Sequence, residues 1–144
     1  AVTVLLDHYG IDCAGKRAVV IGRSPVVGRP AAMLLLERNA TVTVCHTRTA
    51  DLPAVTREAD ILVTAAGAAE SLTAAHVRPG QTVIDVSANW DAAKNTIVGD
   101  ADESAASVVD AITPVPGGVG AVTSTVLMAH VIRAAERAAE GGCL

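Results

Sequence analysis

Four runs of apolar, β-branched residues recur along the chain at fairly even intervals: AVVIG over 18–22, TVTVCH over 41–46, DILVTAAG over 60–67 and TVIDVS over 82–87. Short apolar runs of this kind, separated by turn residues, predict buried strands. Between them lie segments with helical character. VGRPAAMLLLERN (27–39) is rich in Ala and Leu and turns polar at Glu37, Arg38 and Asn39. DLPAVTREA (51–59) opens with Asp51 as an N-cap and carries Pro53 in its first turn, the arrangement a helix start prefers. TAAHV (73–77) reads as a short helical turn capped by Thr73 and stopped by Arg78, Pro79 and Gly80. AVTVLLDHYG at the beginning reads as a short amphipathic helix, with Val4, Leu5 and Leu6 apolar.

Strand alternating with helix is the pattern of βαβ units. The expected fold class is α/β: a doubly wound, Rossmann-like parallel sheet with helices on both faces and right-handed crossovers. A fifth strand is expected near DAITPV (110–115), and a last helix from about Thr123 to about Ala139, ended by EGG. Its Arg133, Glu136, Arg137 and Glu140 fall three or four apart and mark one solvated face. The stretch 88–107 is polar and aperiodic and is read as a long excursion, a loose hairpin, at the carboxyl end of the fourth strand. No repeat or composition break is visible, so residues 1–144 are read as a single domain.

Composition narrows the picture. The chain is 51% hydrophobic yet only 1% aromatic, with Trp90, Tyr9 and no Phe, so its core must be aliphatic. A net charge of −4 without a basic run argues against nucleic acid or an anionic membrane as partner. No apolar stretch reaches the roughly 20 residues of a membrane span, and the start lacks the pattern of a signal peptide. Cys13, Cys45 and Cys143 are odd in number and widely spaced. They are expected to be thiols in a reducing cytoplasm. His8, His46, His76 and His130 are scattered, and no metal site is expected.

The first strand-to-helix turn, VVIGRSPVVGRP, carries the candidate chemistry. It is not G-x-G-x-x-G. It reads Gly22, Arg23, Ser24, then Gly28. Gly22 permits a tight turn, and Gly28 lets the following helix approach closely. Backbone N–H groups and the positive end of the helix dipole favour an anion there. In an NAD site an acid about 20 residues after the glycines binds the ribose 2′-hydroxyl. Here the second strand ends VCHTRT, without an acid. Thr47 offers a hydroxyl, and Arg48 and Arg23 offer guanidinium groups that suit a 2′-phosphate. The expected cofactor is therefore NADP. His46 either contacts the adenosine end or is a structural histidine.

Taken together, GKRAVVIGRSPVVGRPAAMLLLERNATVTVCHTRT (15–49), ADILVTAAG (59–67), VIDVSAN (83–89), VGD (98–100) and ITPVPGGVGAVT (112–123) resemble, in order, the motifs of the bifunctional methylenetetrahydrofolate dehydrogenase/cyclohydrolase family. The resemblance covers nearly the whole chain and is to the family's C-terminal, NAD(P)-binding lobe. It implies oxidation of methylenetetrahydrofolate with NADP and hydrolysis of the methenyl product, with a tetrahydrofolate derivative as partner and a homodimer in the full-length protein. Residue by residue, it implies cofactor contacts at Gly22, Arg23, Ser24, Thr47, Ala88 and Thr123. Pro116, Gly117, Gly118, Val119 and Gly120 would form a loop facing folate and nicotinamide. Ser87 and Ala88 stand where the family has glycine and a larger aliphatic residue, and Ala121 where it has proline. The family's catalytic lysine lies in a preceding lobe. Lys16 and Lys94, the two lysines here, do not match it, so the chain is expected to be a separated cofactor domain with no catalytic residue of its own and little activity alone. The alternatives are a standalone NADP-binding or sensing module, or an amino-acid-dehydrogenase-like Rossmann enzyme, which would share the GRS-type turn but not the PGGVG that this chain carries before its last helix.

Overall fold

The computed structural model describes residues 1–141; Cys143 and the second glycine of EGG lie outside the described residues. The chain runs through α1 (Val2–His8), β1 (Arg17–Ile21), α2 (Gly28–Glu37), β2 (Thr41–Cys45), α3 (Leu52–Arg57) and β3 (Ile61–Thr64). A 3-10 turn (Ala74–His76) leads to β4 (Thr82–Asp85). Then come β5 (Asn89–Asp91), β6 (Thr96–Val98), α4 (Glu103–Ala106), β7 (Ala111–Ile112) and α5 (Val119–Ala139).

Five strands form one parallel sheet in the order β2-β1-β3-β4-β7. The chain steps from β1 outward to β2, then returns to place β3 on the other side of β1. That reversal opens a crevice at the carboxyl ends of β1 and β3, where open α/β sheets bind ligands. Val20, Ile61, Val63 and Ile84 pack on one face against Leu6 of α1 and Leu35 of α2. Val19, Ile21, Leu62 and Val83 pack on the other against Leu72 and Ala105. Burial on both faces explains why these strands read as continuous apolar runs.

The Asp51 cap accepts from the Ala54 N–H, and the Thr73 cap from the Ala75 N–H. The excursion holds the antiparallel hairpin β5–β6. It also holds a helical turn that periodicity did not signal: α4 is capped by Asp102 and anchored by the fully buried Ala105. β7 is only two residues long. Its ladder is continued by a side chain, since the Thr113 hydroxyl accepts from the Asp85 N–H at 2.8 Å, and Pro114 has no N–H to extend it. α5 starts at Val119, four residues earlier than expected, because Gly118 rather than Thr123 is its cap. Solvation of α5 goes beyond one face: Val119 is its single buried residue, and Leu127, Met128, Val131 and Ile132 are all exposed.

Candidate cofactor site

Gly22 ends β1 with φ +108°, a conformation that suits glycine. A Cβ on it would overlap the Ala65 carbonyl beyond β3, and a Cβ on Gly28 would overlap the Gly22 carbonyl. The two glycines thus seat the start of α2 directly on the turn, and the turn directly on the end of β3. Ser24 locks this arrangement. Its hydroxyl accepts from the Val27 N–H at 3.1 Å and the Gly28 N–H at 3.4 Å. These first helical N–H groups are therefore occupied by Ser24 rather than offered to an anion. Having accepted twice, the hydroxyl keeps its own proton to donate.

A cavity of about 370 Å³ opens on this turn. Gly22, Arg23, Ser24, His46 and Thr47 all line it, so five expected cofactor residues, from the ends of β1 and β2, converge. Arg48 does not line it. Its backbone N–H donates to His46 Nδ1 at 3.1 Å, while the His46 N–H donates to the Thr49 hydroxyl at 2.9 Å. One ring nitrogen of His46 thus braces the turn, and the residue forms part of the cavity wall. With Nδ1 accepting, the neutral ring carries its proton on Nε2. Of the two arginines expected here, Arg23 lines the cavity and Arg48 does not.

The opposite wall was not anticipated from sequence. It comes from Thr64, Ala66 and Ala68 at the end of β3, and from Leu72 and His76 beyond it. His76 resembles His46: its Nδ1 accepts from the Thr73 N–H at 3.2 Å. The cavity thus joins apolar walls to a cluster of hydroxyl, imidazole and guanidinium donors. That chemistry suits the adenosine and phosphate end of a dinucleotide.

A smaller cavity of about 140 Å³ lies at the end of β4. Ala88, Pro116, Gly117, Gly118, Val119 and Gly120 line it together. The glycines have separate reasons. Gly117 has φ +94°, Gly118 lies against the Pro114 carbonyl, and Gly120 has open space where a Cβ would stand. Only Gly120 leaves room that packing and backbone do not require. Thr123 does not line this cavity. It sits in the second turn of α5, with its hydroxyl donating to the Val119 carbonyl at 2.8 Å.

Two carboxylates are buried here: Asp85 (2% exposed), which lines the smaller cavity, and Asp100 (0%), which lines neither cavity. Asp85 accepts from the Ser87 and Ala101 N–H groups at 3.0 and 2.8 Å. Burial pushes its carboxyl above the usual range despite these bonds, and the Asp100 charge adds to the effect. Burial acts on Asp100 in the same sense. There the Ser87 and Thr64 hydroxyls, the Ala66 N–H and the Asn89 amide outweigh it and hold the carboxyl below its ordinary value. Cys13 and Cys45 are buried free thiols, both pushed up by burial.

Comparison with known proteins agrees with this geometry. Residues 1–139 match the tetrahydrofolate dehydrogenase/cyclohydrolase NAD(P)-binding domain. The bifunctional protein FolD of Carboxydothermus hydrogenoformans is 54% identical over 138 residues, covering 94% of this chain and 48% of the relative. The FolD crystal structure from Campylobacter jejuni superposes with a TM-score of 0.91 at 44% identity, covering 94% of this chain and 48% of that one. The Trypanosoma brucei methylenetetrahydrofolate dehydrogenase-cyclohydrolase, solved with NADP cofactor and inhibitor, gives 0.88 at 36% identity, covering 96% and 49%. The chain spans about half the length of the curated relatives it matches.

Proposed function

The chain belongs to the tetrahydrofolate dehydrogenase/cyclohydrolase family, as an NAD(P)-binding domain, and from that premise we propose that it is the NADP-binding part of a methylenetetrahydrofolate dehydrogenase/methenyltetrahydrofolate cyclohydrolase. In this reading residues 1–144 are one cofactor domain that works in the cytoplasm. The folate substrate lies between it and residues of a catalytic lobe outside this chain. The whole protein is a homodimer. The observation that carries the proposal is the convergence of Arg23, Ser24, His46 and Thr47 on one cavity at the topological switch of the sheet.

Bound NADP⁺ supplies the hydride acceptor. The chain's own residues bind and orient it. Arg23 and the Thr47 hydroxyl suit the dianionic 2′-phosphate in charge and donor geometry. Ser24 holds the turn and has one proton to donate. Leu72 and the β3-end alanines offer an apolar wall to a base. Ala88 and the Pro116–Gly120 loop form the wall for the nicotinamide and the folate. Acid–base chemistry on the folate is left to the other lobe, since neither Lys16 nor Lys94 lines either cavity.

Calorimetric titration with NADPH and NADH tests the reading. The protein should bind NADPH in preference. Arg23→Glu should weaken NADPH about tenfold or more beyond its effect on NADH, the worth of one charge-assisted contact. Arg48→Glu should affect the two cofactors much less. Equal binding of NADPH and NADH, or binding of neither, would refute the proposal.

A further inference from the structure

Asp100 is fully buried and accepts from six donors. The Thr64 and Ser87 hydroxyls donate at 2.7 Å each, and the Asn89 amide at 3.1 Å. The N–H groups of Ala66, Gly67 and Ala68 donate at 2.8, 3.3 and 2.8 Å. All six donors are neutral, and no lysine or arginine pairs with Asp100 among the described residues. A carboxylate held this way keeps a full negative charge inside the protein.

Its position gives that charge a direction. Thr64, Ala66 and Ala68 line the larger cavity, and Ser87 lines the smaller one. Asp100 is therefore hydrogen-bonded to the walls of both cavities. The neighbouring titratable group, Asp85, lines the smaller cavity, and burial pushes its carboxyl above the usual range. Glu70, whose N–H donates to the Gly99 carbonyl, pairs at the surface with Lys94. Neither neighbour cancels the charge of Asp100. Ser87, standing where the family resemblance has glycine, adds one of its donors.

Oxidised and reduced nicotinamide differ by one positive charge on the ring. We propose that Asp100 is a positioning and charge-setting residue that makes the site favour the oxidised, cationic cofactor over the reduced one. This rests on the cofactor reading above and adds to it a preference between two states of the same ligand. Within about 10 Å, at an effective dielectric constant of about 20, one unit charge is worth roughly tenfold in affinity.

The test measures dissociation constants of NADP⁺, NADPH and 2′,5′-ADP, which lacks the nicotinamide, for wild type and Asp100→Asn. The ratio of NADPH to NADP⁺ dissociation constants should fall about tenfold in Asp100→Asn, well beyond any change for 2′,5′-ADP. Equal weakening of all three ligands would mean that Asp100 only supports the fold, and would overturn the proposal. Ser87→Ala keeps the carboxylate but removes one donor, so it serves if Asp100→Asn does not fold. In Ser87→Ala the NADP⁺ preference should collapse at a higher pH than in wild type, and an unchanged midpoint would overturn the proposal. Failure of wild type to bind 2′,5′-ADP would instead bring down the cofactor reading and this inference with it.

Discussion

Gly28→Ala is the smallest change that probes how the site is built. Gly28 is buried at the first position of α2, and an added Cβ would overlap the Gly22 carbonyl and lie 3.0 Å from the Arg23 nitrogen. Both obstacles are backbone, so no rotamer change can relieve them. Either α2 lifts off β1, or the turn carrying Arg23 and Ser24 moves. Overpacking of this kind costs about 1–3 kcal/mol. Alanine recovers up to about 1 kcal/mol through its helix preference. A net loss of about 1–2 kcal/mol should lower the thermal midpoint by about 2–8 °C. NADPH affinity should fall at least about tenfold, because the displaced turn carries the phosphate-binding groups. Gly120→Ala is the control. It lies in the first turn of α5 with nothing within 4 Å of the added Cβ, so it should stabilise by up to about 1 kcal/mol. Urea unfolding with an unchanged m-value reads both effects. A Gly28→Ala protein as stable as wild type, with normal NADPH affinity, would refute the reasoning.

Further outcomes follow from the same structure. Ser24→Ala removes the acceptor for two α2 N–H groups and should cost about 1 kcal/mol in urea unfolding, with weaker NADPH binding by calorimetry. Gln81 is fully buried, and its amide donates to the Thr56 and Ala59 carbonyls while its oxygen accepts from the Arg78 N–H. Gln81→Leu should therefore destabilise by about 2–4 kcal/mol, read as a lower urea midpoint. For acid, Asp100 lies below its unfolded value. Its contribution is complete above about pH 4 and is lost as pH falls through its folded value. Asp85 lies above its unfolded value, so the cost of burying its charge disappears as pH falls through that raised value. Asp100→Asn should flatten the steep acid limb of stability against pH, whereas Asp85→Asn should act at milder pH and with the opposite sign.

β1, β3 and β4 were legible in the sequence because strands buried on both faces leave an unbroken apolar run, and the edge strand β2, with only Cys45 buried, because its residues alternate Thr and Val. The Asp51 and Thr73 caps were legible because capping is local chemistry. The PGGVG loop and the GRS turn were found by motif, and each converges on a cavity. α4 was not legible, since its four residues bury only Ala105, too little for a periodic pattern. That Arg23 lines the larger cavity and Arg48 does not was also hidden. Both flank the same crevice in sequence, but the His46 brace takes up the backbone of the second turn. Thr123 looked like a polar helix start until α5 proved to begin at Val119, which leaves its hydroxyl on a carbonyl of its own helix. Asp100 resembled an ordinary loop acid. Its six donors come from two segments far from it in sequence, 64–68 and 87–89, and no local pattern records them.

α5 runs for 21 residues yet buries only Val119, so about 30 Å of helix has little to hold it to the sheet. Its backbone amides should exchange with solvent by fraying from the far end, at rates close to those of a free peptide. Amides of β1 and β3 should exchange only through unfolding of the whole sheet. The chain then has two melting behaviours in one molecule. A probe on the helix would report a broad transition and a probe on the sheet a sharp one, and their divergence would measure how little the last helix shares in the stability of the rest.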